Sequence, residues 1–344
     1  MKASYHQHIL EFKRPSGTSR GILQTKETWF IVIEHDGKRG IGECGILRTL
    51  SIDDVPNYEA KLKWTCDNIH LGLHTLLKAL VEFPSIQFGL EQAFLSLQQQ
   101  NTFELFPSEF TNSNAGIPIN GLVWMGDVQF MKAQIKEKIE QKFTCIKMKI
   151  GAIDFDTELD LLKSIRNEYA QSDIELRVDA NGAFSPDSAM EKLQKLSELD
   201  LHSIEQPIKA GQPDDMARLC ENTPLPIALD EELIGVFSVT DKEKVIQTIQ
   251  PQYIILKPSL VGGFKGSQEW IALAEANNCG YWITSALESN VGLNAISQWT
   301  YTLNSPLPQG LGTGSLYTNN IDSPLEVTNG ALYYNNTLNW NFNY

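Results

Sequence analysis

Cys145-Ile146-Lys147-Met148-Lys149-Ile150 is the stretch on which the fold turns. Side chains alternate across a strand, so Lys147 and Lys149 share one face while apolar neighbours embed them in a buried strand. Similar short runs follow and precede it: Ile117–Gly121, Leu176–Asp179, His202–Glu205, Ile227–Asp230, Tyr253–Lys257, Tyr281–Ser285 and Gln309–Gly312. Amphipathic stretches separate them. Met131, Ile135 and Ile139 fall on one helical face, as do Met190, Leu193 and Leu196, with Ser185-Pro186 as a cap and first-turn proline before the latter. The polar residues that end successive runs recur about 25 to 30 residues apart, the length a strand, a helix and a parallel return need. Eight such strands predict a closed β/α barrel of class α/β. A doubly wound sheet would want a glycine-rich phosphate loop after its first strand, and Asn120-Gly121-Leu122 is not one.

Residues 1 to 113 read differently. Thr28–Ile33 and Arg39–Glu43 flank the turn Asp36-Gly37, a hairpin signal. Lys61 to Glu82 carries helical spacing, Pro84–Gly89 is expected to break it, and Leu90–Gln98 to resume a helix. Strands followed by helices make an α+β module.

Composition narrows the partners. The 344 residues hold 42 acidic and 28 basic side chains, a net charge of −14, which argues against nucleic acid and anionic membrane surfaces. A small anionic substrate remains compatible, since lysines and a metal can make one pocket positive. Five widely spaced cysteines without a CxxC pair read as reduced thiols. Met1–His6 lacks the apolar core of a signal peptide, and no apolar run approaches the ~18 residues of a membrane span. The cytoplasm is the expected compartment. Oligomeric state leaves no signal.

In a β/α barrel the charged residues that end successive strands converge on one mouth. Here Asp179, Glu205 and Asp230 end three consecutive strands. Crowded carboxylates repel, and a divalent cation resolves the conflict; all-oxygen ligation favours magnesium, with manganese as the substitute. Lys147 and Lys149 enter from one side and Lys257 from the other. Two ammonium groups side by side near a metal are expected to lower each other's pKa toward that of a useful base. A metal on a substrate carboxylate and a lysine beside the α-carbon together describe α-proton abstraction.

The ordered set Lys147-Met148-Lys149, Asp179-Ala180-Asn181-Gly182, Glu205-Gln206-Pro207, Asp230-Glu231 and Leu256-Lys257-Pro258 resembles the enolase superfamily, and more narrowly its muconate-lactonizing-enzyme subgroup. Strand 7 ends in Thr284–Asn290 without a histidine, unlike the mandelate-racemase subgroup. The resemblance implies a modified TIM barrel, (β/α)7β, over residues 114–313. It also implies an α+β capping domain over 1–113 and a segment, 314–344, that packs back on the cap. It implies magnesium ligation by Asp179, Glu205 and Asp230, with Asn181 and Glu231 orienting them.

Thr284–Leu293 and Gln309–Gly314 are most similar to the o-succinylbenzoate synthase family, which dehydrates 2-succinyl-6-hydroxy-2,4-cyclohexadiene-1-carboxylate in menaquinone biosynthesis. By that resemblance Lys149 removes the α-proton and assists loss of the hydroxyl. Lys257 stays protonated over the ring, and Lys147 tunes Lys149. Ser285, Ser289, Gly312 and Thr313 are candidates for the succinyl carboxylate. Ser16–Gly21 and Leu47–Ser51 are candidate lids, with Arg20 a candidate carboxylate partner. An N-acylamino-acid racemase or dipeptide epimerase would use Lys149 and Lys257 as paired acid and base. Epimerases often carry an acidic strand-8 motif that Gly312-Thr313-Gly314-Ser315 lacks. A non-catalytic scaffold would be expected to have lost some of these residues, and all are present.

Overall fold

The computed structural model describes residues 1–18, 21–113 and 115–344. Its N-terminal layer is an antiparallel sheet of β1 (Lys2–Thr18), β2 (Gly21–His35) and β3 (Lys38–Cys44), in that order. The expected turn is present: φ is 49° at Asp36 and 74° at Gly37, the left-handed pair that joins two strands without splaying them. β2 outruns the expected Thr28–Ile33 because β1, a strand that side-chain pattern does not advertise, pairs with it from Lys2↔Glu34 onward.

The helical stretch is not continuous as expected. Tyr58–Asp67 and Leu73–Ala79 are separate helices with a 3-10 turn, Ile69–Leu71, between them; Gly72, at φ 76°, ends the run. Nor does Pro84 interrupt a helix. It opens one, Pro84–Gln98, at the first-turn position where its missing N–H is not needed. That helix lies unusually close to β3. A Cβ on Gly42 would sit 1.9 Å from the Gly89 carbonyl oxygen, and one on Gly40 2.2 Å from that of Ala93. Ile31 and Ile33 of β2 pack toward these helices. The opposite side of the sheet is covered from far along the chain: Phe30 meets the rings of Phe342 and Tyr344 at 5.1 and 5.3 Å.

The second part is a parallel sheet of β5 (Gly121–Val123), β6 (Cys145–Lys149), β7 (Glu175–Asp179), β8 (Ser203–Glu205), β9 (Ile227–Leu229), β10 (Tyr253–Leu256) and β11 (Gly280–Ile283), each beside its sequence neighbour. Helices intervene as the spacing predicts. Ser185 caps Pro186–Ser197, and its buried Leu193 and Leu196 face the strands. The eighth position is occupied by bridges rather than a full strand: Gln309 bonds beside Ile119 and Gly310 beside Thr284, closing the ring.

The expected first strand, Ile117–Gly121, is divided. β4 (Ile117–Pro118) leaves the barrel to join the hairpin β12 (Leu325–Thr328) and β13 (Ala331–Tyr334), and only from Gly121 does the chain pair with β6. The family-type architecture is present: a strand-and-helix module on a modified TIM barrel.

The glycine contact yields a direct check. Gly42→Ala should destabilise the protein by about 2–3 kcal/mol, since backbone rather than a flexible side chain blocks the new methyl. Denaturant unfolding measures it; a change below about 0.5 kcal/mol would show that the helix and sheet separate freely.

Candidate active site

Strand register assembles the site. Lys149 lies opposite Asp179 on the next strand, and Asp179 opposite Glu205 on the one after. Asp230 follows β9 and Lys257 follows β10. The three carboxylates are 1–2% exposed. Burying them unpaired would be prohibitive, and the lysines supply the pairing. The Lys147 ammonium lies 2.9 Å from Asp179 Oδ2 and also bonds Glu205 Oε2. Lys149 donates to Asp179 Oδ2 at 2.9 Å and to Asn181 Oδ1 at 2.8 Å. Lys257 bonds Asp230 Oδ2.

Asn181 sits in the left-handed region at φ 44°, where asparagine is tolerated better than most residues. Its N–H donates to Asp179 Oδ1, and its amide donates to Glu231 Oε1 at 3.1 Å. Asn181 thus links Lys149 to Glu231. Gln206, to which the sequence assigned no role, is fully buried at φ 41°. Its Oε1 accepts the backbone N–H of Asp230 and Glu232, fixing the start of the loop after β9. Its place between Glu205 and Pro207 was the only available signal.

At Lys147 the metal-free electrostatics run against the lowered pKa expected. Burial draws the Lys147 ammonium down, but Asp179, Glu205 and Asp230 together outweigh it and hold its pKa above the ordinary lysine value. Lys257 behaves alike: burial lowers it, and Asp230, Glu205 and Glu231 raise it further. Proximity of carboxylates, rather than lysine–lysine repulsion, decides the outcome. Asp179 resists the upward pull of burial and is held well below the carboxylate range by Lys147 and Lys149. Burial and the neighbouring carboxylates push Glu205 the other way.

Among the described residues no trio of acidic, histidine or cysteine side chains stands arranged as a ready metal cage. Ammonium groups lie between the acids instead. The residues nevertheless fit a hard dication. The donors are all carboxylate oxygens, they come from three adjacent strand ends, and Glu205 Oε1 is buried without a hydrogen-bond partner.

Of the three carboxylates only Asp179 lines the adjoining cavity of about 500 Å3; Glu205 and Asp230 are not among its lining residues. Lys147, Lys149, Asp179, Asn181, Glu231 and Lys257 form its floor, and Ser285, Gly312 and Thr313 a side wall, where the Ser285 and Thr313 hydroxyls lie 2.6 Å apart. Ser289 does not belong there. It is fully buried behind the wall, where it caps the helix Asn290–Thr302 and bonds Glu43, so the expectation that it holds substrate is corrected.

The capping module supplies the roof. Ser16, Gly21, Ile22 and Leu23 reach it from the β1–β2 hairpin, which is strand nearly to its tip rather than the loop expected, and Arg20 lies outside the described residues. Leu47, Arg48, Thr49 and Leu50 also line it. Arg48 is engaged with Glu27 at 2.8 Å and Asp54 at 2.6 Å, which ties this loop down. Trp124, Leu287 and Leu316 add apolar surface that no motif predicted.

Comparison with known proteins agrees with this geometry. Residues 130–337 match the family described as enolase C-terminal domain-like. The chain is 44% identical to an o-succinylbenzoate synthase of Desulfotalea psychrophila, over 96% of this chain and 98% of that one. The crystal structure of MenC from that organism superposes with a TM-score of 0.86 at 42% identity, covering 97% of this chain and 99% of the other. A muconate lactonizing enzyme from Pseudomonas fluorescens, complexed with muconolactone, shares the fold at a TM-score of 0.82 and 22% identity, covering 98% and 96%. Strand order, site register and these likenesses converge: the chain belongs to the enolase superfamily, as an enzyme of the o-succinylbenzoate synthase kind.

Proposed function

We propose that the enzyme dehydrates 2-succinyl-6-hydroxy-2,4-cyclohexadiene-1-carboxylate to 2-succinylbenzoate, a step of menaquinone biosynthesis. The observation that carries this reading is the pair Lys149 and Lys257 lining one cavity with Asp179 at its floor, in a chain 44% identical to a synthase of that name. Asp179, Glu205 and Asp230 would hold magnesium, or manganese in its place. When bound, the ion supplies positive charge that offsets the second negative charge developing on the substrate carboxylate.

The chain's own groups divide the remaining work. In this reading Lys149 is the base: it lines the cavity and is oriented by Asp179 and Asn181, while Lys147 lies between Asp179 and Glu205 and Lys257 faces it from the Asp230 side. As a neutral amine Lys149 would donate its two N–H bonds to Asp179 and Asn181, turning its lone pair toward the α-carbon. It takes the α-proton, then returns a proton to the hydroxyl on the same face. The C–O bond breaks, water leaves and the ring becomes aromatic. The Lys257 ammonium stabilises the electron-rich ring from the far side. The absence of an acid in Gly312–Ser315 speaks against dipeptide substrates.

The substrate is a small dianion, and the lysine-lined floor suits one of its carboxylates. Ser285, Gly312 and Thr313 are placed to receive the succinyl end. All five cysteines are buried and free, which supports a reducing compartment such as the cytoplasm.

Lys149→Ala should lower kcat about a thousandfold while circular dichroism stays that of the wild type; turnover within about tenfold of wild type would remove Lys149 from the mechanism. Lys257→Arg, which keeps the charge, should retain measurable dehydration. Chelation should abolish turnover, with magnesium restoring it, and Asp230→Asn should raise the magnesium concentration for half-maximal rate about tenfold or more. A chelated enzyme of full activity would sink the metal assignment.

A further inference from the structure

Behind the cavity wall lies a second buried charge cluster, set between the capping sheet and the barrel. Glu43 of β3 and Glu288 of the loop after β11 are both fully buried, and Lys26 of β2 is 3% exposed. The Lys26 Nζ has no hydrogen-bond partner; burial draws its pKa below the ordinary lysine value against the pull of Glu43, Glu288 and Glu27. Glu43 reaches across to the barrel. Its Oε1 accepts the Thr28 hydroxyl at 2.6 Å and the Ser289 N–H at 2.8 Å, while Oε2 accepts the Ser289 hydroxyl and, at 2.7 Å, the Gly292 N–H. A capping-module carboxylate therefore satisfies the first turn of a barrel helix, where the dipole favours it.

Glu288 grips the same loop from the barrel side. It accepts the Ala286 N–H at 2.7 Å and the hydroxyl of Ser259, two residues beyond Lys257. Leu287, caught between Glu288 and Ala286, is held at φ 64°, a conformation unfavourable for leucine, and its carbonyl accepts the Tyr317 hydroxyl at 2.7 Å. Ser285, Ala286 and Leu287 are cavity wall. Gly292 leaves the cluster no slack, since a Cβ there would lie 2.9 Å from Glu43 Oε2.

We infer that Lys26, Glu43 and Glu288 form a buried positioning cluster that sets the wall Ser285–Leu287 from behind and thereby controls how tightly substrate is held. The inference rests on the cavity being the dehydration site. A second cross-module contact serves as control. Glu91 accepts the N–H groups of Phe264 and Lys265 at the start of the helix Gly263–Ala276, in the same manner, but neither of those residues lines the cavity.

Steady-state turnover and calorimetric binding of 2-succinylbenzoate are to be measured for wild type, Glu43→Gln and Glu91→Gln, at a temperature where all are folded. An amide at position 43 has one acceptor oxygen for two backbone N–H donors, so one is left facing an NH2 group. Glu43→Gln should raise KM and weaken product binding about fivefold or more, with kcat within about threefold; Glu91→Gln should lower the melting temperature yet keep KM within about twofold. Unchanged KM in folded Glu43→Gln, or an equal rise in Glu91→Gln, overturns the inference. Where Glu43→Gln does not fold, Ser259→Ala removes one donor to Glu288 and should raise KM about twofold or more; an unchanged KM there counts equally against it. Wild type that neither turns over the cyclohexadiene nor binds 2-succinylbenzoate contradicts the dehydratase reading instead, a separate result.

Discussion

The attraction between three buried carboxylates and the lysine ammonium groups among them is the constraint on which the molecule depends. Any one of these charges left alone out of water would cost several kcal/mol, so each is tolerable only because the others stand beside it. Neighbouring strands must therefore keep their register: Lys149, Asp179 and Glu205 fall in one row across β6, β7 and β8. A one-residue slip would turn an acid into the apolar layer and leave an ammonium unpartnered. Chemistry and barrel architecture thus rest on the same electrostatic condition, and a protein arranged this way trades stability for a reactive floor.

Much of this was legible in the residues. Regular return of a polar residue after each apolar run located the barrel strands, and the same positions named the acids and lysines at the floor. Periodicity could not see what non-local pairing decides. β1 is rich in charged and histidine side chains, and becomes a strand because β2 lies beside it. Ile117–Pro118 has the composition of a barrel strand but is taken by a hairpin more than two hundred residues later. Ser289 sits in a motif beside the cavity and yet faces away, because Glu43 claims its hydroxyl. The lysine pKa values also depended on distances to carboxylates that sequence spacing alone does not fix.

The two parts of the molecule are joined by acids that cross the boundary. Glu43 and Glu91 each leave the capping module to satisfy a barrel helix at its first turn, where unpaired N–H groups would otherwise be buried. The joint is directional in a way that apolar packing alone is not. Each carboxylate matches particular N–H groups, which fixes how the cap is seated over the mouth as well as that it is seated.

The aromatic rings laid over Phe30 carry a consequence for synthesis. β2 is made early, but Phe342 and Tyr344 emerge from the ribosome roughly three hundred residues later, so this contact closes one of the longest loops in the chain. Until then Phe30 lacks its last aromatic cover, although Val291 and Ile321 of the same cluster are already made. Loss of the last residues would therefore loosen a contact made to the second strand of the chain.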